Sequence, residues 1–328
     1  MQRLGYKLMS EEHGPRDLVA NAVRAEEAGF DFAAISDHFS PWLDDQGHSP
    51  FAWSVLGAIA QATQRIGLAT AVTCPSWRYH PAIVAQAAAT VSLLLAGRRF
   101  ALGLGSGERL NEHVVGAAWP GVGERQARLA EAVEIIRRLL DGGTHSFEGH
   151  YLTLDEARLY DVPEEAPQIL LAAGGRAAAR LAARKADGLV ASAPKRKLVE
   201  AYRTAGGAGP CIAEVALCWA ESESDALDHV RRCYRWGGLG WKVLPELPTP
   251  AAFEAATRST RIEDVAADMP LGPDVERFVE GIQPYVDAGF DELVLLQIGP
   301  DQAGFLRFFE RELRPALEQA SKQHRRAS

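Results

Sequence analysis

Short apolar runs alternate with longer stretches in which apolar residues recur every three to four positions, and this alternation continues along most of the chain. The runs predict strands at Arg3 to Leu8, Phe32 to Ser36, Ile66 to Val72, Phe100 to Gly105, Gln168 to Ala172, Gly188 to Ala191, Ile212 to Cys218 and Glu292 to Gln297. Between them, helical spacing covers Pro15 to Gly29, Phe51 to Gln64, Pro81 to Ala96, Gly123 to Leu140, Arg176 to Ala186, Lys195 to Tyr202, Ser222 to Tyr234 and Pro273 to Ala288, with a final helix from Gln302. Two segments break the rhythm. Residues 142–162 carry alternating Phe147, Tyr151 and Leu154, which predict an inserted hairpin, and residues 237–271 form an irregular excursion. About eight strand-helix units in one series predict an α/β fold, a single (β/α)8 TIM barrel spanning residues 1–328 with insertions after strands 2, 4 and 7.

Composition narrows the function classes. The 328 residues are 47% hydrophobic and 24% charged, enough for a large core. A net charge of -8 argues against a nucleic-acid surface and against attraction to anionic membranes. The longest apolar runs, such as 85–97, are too short to span a bilayer. Four cysteines, Cys74, Cys211, Cys218 and Cys233, lack metal-ligand spacing and fit reduced thiols in a cytoplasmic protein. With no metal set expected, a small-molecule substrate is the expected partner.

Chemistry concentrates where predicted strands end. Ser36-Asp37-His38-Phe39-Ser40-Pro41-Trp42 follows the second strand, at the carboxyl end where parallel α/β folds place their reactive groups. His38 can move a proton near neutral pH, Asp37 can orient a neighbour, and Trp42 can pack on a flat ligand. Gly103-Leu104-Gly105-Ser106-Gly107-Glu108 ends the fourth strand and is followed by Asn111 and Glu112. Its glycines permit close backbone approach, but its context does not fit the dinucleotide fingerprint. Ala172-Ala173-Gly174-Gly175-Arg176 opens a helix whose free N–H groups can hold a phosphate.

These segments together carry a resemblance. Gly5-Tyr6-Lys7, the Ser36 to Trp42 stretch, Arg78-Tyr79-His80-Pro81, Gly105 to Glu112, Tyr160-Asp161-Val162-Pro163 and Ala172 to Gly175 resemble the bacterial-luciferase-like oxidoreductases. Within them the chain is most similar to the coenzyme F420-dependent branch typified by F420-dependent glucose-6-phosphate dehydrogenases. The resemblance runs from Leu4 to about Ala316 and implies a homodimer.

It also implies site roles. Asp37 would contact the deazaflavin, a cis Ala71-Val72 peptide would back its ring, and Cys74 would stand where a threonine is common. Ser106, Gly107, Glu108 and Asn111 would line the ring and side chain, and Ala173, Gly174 and Gly175 would hold the phosphate. His38 and Trp42 would flank the substrate, with His38, Trp42 and Glu108 as the catalytic set, and Lys195 would contact a sugar phosphate. The other two cations of that phosphate clamp are replaced: Ala255 stands at one position and Asp268-Met269 at the other, with Arg258 and Arg261 nearby. The expected activity is therefore hydride transfer between coenzyme F420 and a small or bulky alcohol, carbonyl, imine or activated alkene rather than glucose 6-phosphate. The alternatives are a sugar-phosphate dehydrogenase and an FMN-dependent monooxygenase of the same fold.

Overall fold

Eight parallel strands close into a barrel in the computed structural model, which describes residues 2–240 and 242–327, with side chains to residue 322. The barrel strands are β1 (Arg3–Leu8), β2 (Phe32–Ile35), β3 (Gly67–Thr70) and β4 (Phe100–Leu104), then, after a hairpin of β5 (His145–Glu148) and β6 (Thr153–Ala157), β7 (Gln168–Ala172), β8 (Gly188–Ala191), β9 (Cys211–Leu217) and β10 (Glu292–Gln297). Neighbours around the ring run β1-β10-β9-β8-β7-β4-β3-β2, so first and last strands pair, in register Arg3 to Glu292 through Tyr6 to Leu295.

The two faces of each strand have different jobs. Outward residues such as Leu4, Tyr6 and Leu8 on β1 and Ala33 and Ile35 on β2 pack under the helices in one large cluster. Inward residues form a second, smaller core of Phe32, Ala34, Ala69, Ala101, Leu170, Val190, Ile212 and Val294. Alanine at three of these positions leaves room for the Phe32 ring in a filled barrel. At the lower end one guanidinium nitrogen of Arg99, just before β4, donates to both Glu292 carboxylate oxygens (2.9 and 2.7 Å) and the other to Gln168, joining β4, β10 and β7.

Helices α1 (Pro15–Glu27), α2 (Ala52–Ala62), α3 (Pro81–Leu94), the short α4 (Arg109–Glu112), α5 (Val122–Leu140), α6 (Arg176–Lys185) and α7 (Arg196–Thr204) follow the first six barrel strands. The stretch expected as one helix from Ser222 to Tyr234 is α8 (Glu223–His229) continued by a wider turn over Val230–Tyr234. The irregular excursion is partly ordered as α9 (Pro250–Thr257) and α10 (Ile262–Ala266), ahead of α11 (Val275–Asp287). The last helix is likewise split, with a wide turn at Phe309–Leu313 between α12 (Gln302–Phe308) and α13 (Arg314–Ala327). No helix among the described residues is long and apolar enough to cross a membrane.

Candidate active site

The segments that follow β1, β2 and β4 converge at His38. Its Nε2 lies 3.3 Å from Glu11 Oε1, on the loop after β1, and 3.6 Å from Glu108 Oε2, after β4. Its Nδ1 lies 3.2 Å from the Ser40 carbonyl oxygen. That oxygen can only accept, so Nδ1 carries a proton and Nε2 is the nitrogen turned toward the two carboxyls. A bare lone pair facing two carboxylates is repulsive, so the group holds one further proton, on Nε2 or on a carboxyl.

The two carboxyls are tuned in opposite directions. Burial alone pushes Glu11 up, but His38, the Ser36 hydroxyl donating at 2.5 Å and Lys7 together hold it below the usual carboxylate range. Glu108 has no hydroxyl donor, only the Asn111 amide at 3.4 Å: burial and the nearby Glu11 raise it to about 7 against the pull of His38 and Lys7. Glu108 is also the more accessible, with 19% of its side chain exposed against 2% for Glu11. Glu108 is thus the carboxyl able to take or give a proton near neutrality.

The remaining expected residues fall into three groups. Asp37 is buried and fully engaged: its carboxylate accepts from Thr73 (2.7 Å), Arg78 (3.1 Å) and Tyr79 (3.1 Å), so it ties the β2 loop to the β3 loop. Asn111 accepts from the Phe39 amide at 2.9 Å and lies 3.4 Å from Glu108, which fixes the His38 loop against α4. Arg78 further binds Glu112, whose carboxyl burial raises to about 7.

The second group forms a small-residue floor. The Ala71-Val72 peptide is cis. A Cβ on Gly103 would come within 2.1 Å of the Thr70 carbonyl, and one on Gly105 within 2.7 Å of a Val72 methyl, so both glycines let the β3 end lie against β4. Gly107 has φ +84 and turns the chain over Cys74, whose Sγ would stand 2.8 Å from a Cβ there. Ser106 beside it is half-buried, and burial pushes the Cys74 thiol up, which leaves it a packing residue. Below the floor Lys7 points into the barrel, donating to the Ala71 carbonyl at 2.6 Å and paired with Glu214 of β9.

The third group lies at the β7 end. Ala173 is buried, its amide donating to Val190 at 2.8 Å. Gly174 and Gly175 are exposed, and nothing lies within 4 Å of a Cβ built on either. The protein's own packing does not require glycine there. An open, side-chain-free turn at the start of α6 fits a phosphate-bearing ligand whose oxygens approach the backbone.

Trp42 is buried, not free to move over a ligand. It stacks on Trp236 (4.4 Å between ring centres, 15°), meets Phe253 edge-on at 5.1 Å and stands 4.9 Å from His38. Leu43, Leu110 and Leu244 complete this cluster, so the excursion after β9 forms one wall of the site. Lys195 is exposed at the start of α7, after β8, four strand positions round the barrel from β2 and therefore opposite His38. Ala255, Arg258, Arg261 and Asp268 are all exposed, and Arg261 lies 3.9 Å from Asp264.

Sequence reasoning missed Glu11, Glu214, Trp236 and the role of Lys7. Lys7 and Glu214 did leave a signal: each is a charge at an inward position of an apolar strand, and such charges are kept only when paired. Glu11 left none, since a glutamate in the polar run after β1 looks like any loop residue.

Comparison with known proteins places this arrangement. The family model described as luciferase-like monooxygenase matches residues 2–292. The chain is 39% identical over 336 residues to the F420-dependent glucose-6-phosphate dehydrogenase of Rhodococcus erythropolis, covering 96% of this chain and 97% of the relative. It is 40% identical over 331 residues to the protein of that name from Nocardia farcinica, with the same coverage. Among solved structures, an F420-dependent secondary alcohol dehydrogenase in complex with an F420-acetone adduct superposes with a TM-score of 0.88 at 29% identity, over 96% of this chain and 99% of that one. The F420-dependent tetrahydromethanopterin reductase of Methanopyrus kandleri, at 20% identity and a TM-score of 0.77 over 96% and 99% of the two chains, shares the fold. With the family model covering most of its length and its reactive groups gathered at the carboxyl ends of the barrel strands, the chain belongs to the luciferase-like family.

Proposed function

We propose that the protein is a coenzyme F420-dependent oxidoreductase acting on a non-phosphorylated organic substrate, an alcohol or its carbonyl product being the simplest pair. The observation that carries this reading is the His38 ring held between Glu11 and Glu108 after the carboxyl ends of β1, β2 and β4, an arrangement suited to sharing a proton. The names of the curated relatives and of the alcohol dehydrogenase structure support the coenzyme.

When bound, coenzyme F420 accepts or gives hydride at a ring carbon, and the protein supplies orientation and proton handling. Gly174, Gly175 and the Ala173 turn would hold its phosphate, and Ser106, Gly107 and the Ala71-Val72 floor its flat ring. In the oxidative direction His38 Nε2 takes the substrate hydroxyl proton, and Glu11 stabilises the resulting imidazolium. Glu108 holds the second exchangeable proton. In the reductive direction His38 returns a proton to a carbonyl, imine or activated alkene.

A sugar-phosphate substrate is the second reading, favoured by the names of the curated relatives. It would need Lys195 together with Arg258 or Arg261 to supply the missing charge. Exposed Ala255 and Asp268 at the other two clamp positions weigh against it, since two lost charged contacts of roughly 1.5–3 kcal/mol each weaken binding by orders of magnitude.

The test pairs binding with turnover. Coenzyme F420 is expected to bind at least tenfold more tightly than FMN, read by protein fluorescence; equal or tighter FMN binding overturns the coenzyme reading. With coenzyme F420 present, propan-2-ol oxidation is expected to exceed glucose 6-phosphate oxidation. Turnover at low micromolar sugar phosphate decides for the second reading.

A further inference from the structure

Trp42 and Leu43 lie in no strand or helix, yet both are buried, so their backbone amides need acceptors. One side chain supplies both. Gln46 Oε1 accepts from the Trp42 amide at 2.9 Å and from the Leu43 amide at 3.2 Å. It reaches back because residues 44–46 make a single tight turn that ends at Gly47, whose φ of +78 favours glycine. With its oxygen committed to two N–H groups, the Gln46 side chain must turn its nitrogen the other way, toward Glu12 Oε1 at 3.5 Å. The other oxygen of Glu12 accepts from the Gly299 amide at 3.1 Å, and the Gly299 carbonyl accepts from buried Gln302 at 2.7 Å. Adjacent glutamates on the β1 loop thus face different ways: Glu11 meets His38, and Glu12 lines a separate cavity with Gln46 and Gln302.

We infer that Gln46 is a positioning residue for the Trp42 wall and that Glu12 fixes which way its amide points. The relay ties the loop after β2 to the loops after β1 and β10. The Trp42 ring stands 4.9 Å from His38 and 4.4 Å from Trp236, so a shift of its backbone alters both contacts. Gln46 acts through that backbone, and its loss moves the indole without removing a proton-handling group. The effect on turnover rests on the oxidoreductase reading above; the placement of the indole does not. The pattern has a strict chemical requirement. Position 46 must offer an acceptor to the two amides, and between positions 46 and 12 one donor must meet one acceptor. Glutamine facing glutamate meets it, and the exchanged pair meets it equally, since the new glutamine at 12 can accept from Gly299 and donate to the new carboxylate. Two facing carboxyls do not.

The test uses the full chain labelled with 5-fluorotryptophan, the Trp42 resonance being the one lost in Trp42→Phe. Measurements are made at about pH 8, where a proton shared between two carboxyls is scarce. Gln46→Glu keeps the size of the side chain and its acceptor for the amides but sets a carboxyl against Glu12. Its Trp42 resonance is expected to shift or broaden, and KM for propan-2-ol with coenzyme F420 to rise about 5- to 30-fold while kcat and the coenzyme dissociation constant stay within about threefold. The exchanged variant Glu12→Gln, Gln46→Glu is expected to restore the resonance and bring KM to within about twofold of wild type. A side chain that merely filled space would, on substitution, change kcat, KM and coenzyme binding together as the melting temperature fell, and would gain nothing from the exchange. An unmoved resonance in Gln46→Glu, or an exchanged variant no better than the single one, overturns the inference. A wild type that does not oxidise propan-2-ol counts against the alcohol reading alone, since the fluorine signal still decides the placement of Trp42.

Discussion

His38 is fixed from three sides, and each contact makes a different demand on it. The Ser40 carbonyl sets the tautomer, while buried Glu11 and the more accessible Glu108 both face Nε2. If His38 moves the substrate proton, His38→Ala lowers single-turnover hydride transfer by roughly 10²- to 10⁴-fold while coenzyme affinity changes only a few-fold. A histidine serving only to pack the loop would instead weaken coenzyme and substrate binding together and lower the melting temperature, so both are measured on the same variant.

The raised carboxyl of Glu108 gives a second prediction at this scale. A group near 7 changes charge across the physiological range, and the pH profile of kcat/KM is expected to show an ionisation there. Glu108→Gln removes that ionisation but leaves the Glu11-His38 pair. An unchanged inflection near neutrality in this variant would assign it to another group. The sign for stability is also defined. Burial raises Glu108, Glu112 and Glu12, each to about 7, so the folded protein binds more protons than the unfolded one between about pH 4.5 and 7. Their joint effect is stability that is present at the acid end of that window and falls as pH rises through it, while lowered Glu11 acts oppositely in the acid range.

At the scale of elements, the excursion after β9 matters through Trp236. Its ring covers one face of Trp42, and Phe253 of α9 closes the edge. Trp236→Ala opens a cavity of indole size and is expected to cost about 3 kcal/mol or more of stability. It also uncovers Trp42, so acrylamide quenching of the remaining tryptophans rises and KM increases more than the coenzyme dissociation constant. Trp236→Phe restores most of both. A stable Trp236→Ala protein with unchanged KM would separate this wall from the substrate.

The strands and the helices around the barrel were legible because burial on one or two faces imposes a period, and period survives in sequence. The Gly103 to Glu108 and Ala172 to Gly175 turns were legible because glycine is kept where a side chain would collide or block. Trp236 and Phe253 were not, since nothing in an irregular segment tells which aromatic will reach back across the mouth to Trp42. The wide turns at Val230 and Phe309 were equally hidden, because helix continuation and a single wide turn need the same apolar spacing.

For the whole molecule, the apolar face on α2 and α3 is the feature that bears on assembly. Phe51, Ile83, Leu93 and Leu94 are each more than a third exposed beside a groove lined by Trp53, Tyr79 and Val91. Contiguous exposed apolar surface of this kind is costly for a monomer. The homodimer implied by the family resemblance would cover it, so the protein is expected to sediment as a dimer and Ile83→Asp to shift it toward monomer. A wild-type monomer at micromolar concentration would leave this face without a partner copy.

The pairing of the first strand with the last has a consequence for how the chain comes into being. Glu11, His38 and Glu108 all leave the ribosome within the first third of synthesis, yet the groups that steady their surroundings arrive late: Glu214 for Lys7, the Gly299 amide for Glu12, and Gln302 for the Tyr6 hydroxyl. Until Glu292 to Gln297 emerges, β1 pairs with β2 alone and its other edge is bare. A nascent chain can therefore carry Glu11, His38 and Glu108 and still be an open sheet with two sticky edges. The surroundings of the His38 cluster are complete only when the final strand shuts the ring, so a chain stalled short of that point is a candidate for chaperone capture and not a partly working enzyme.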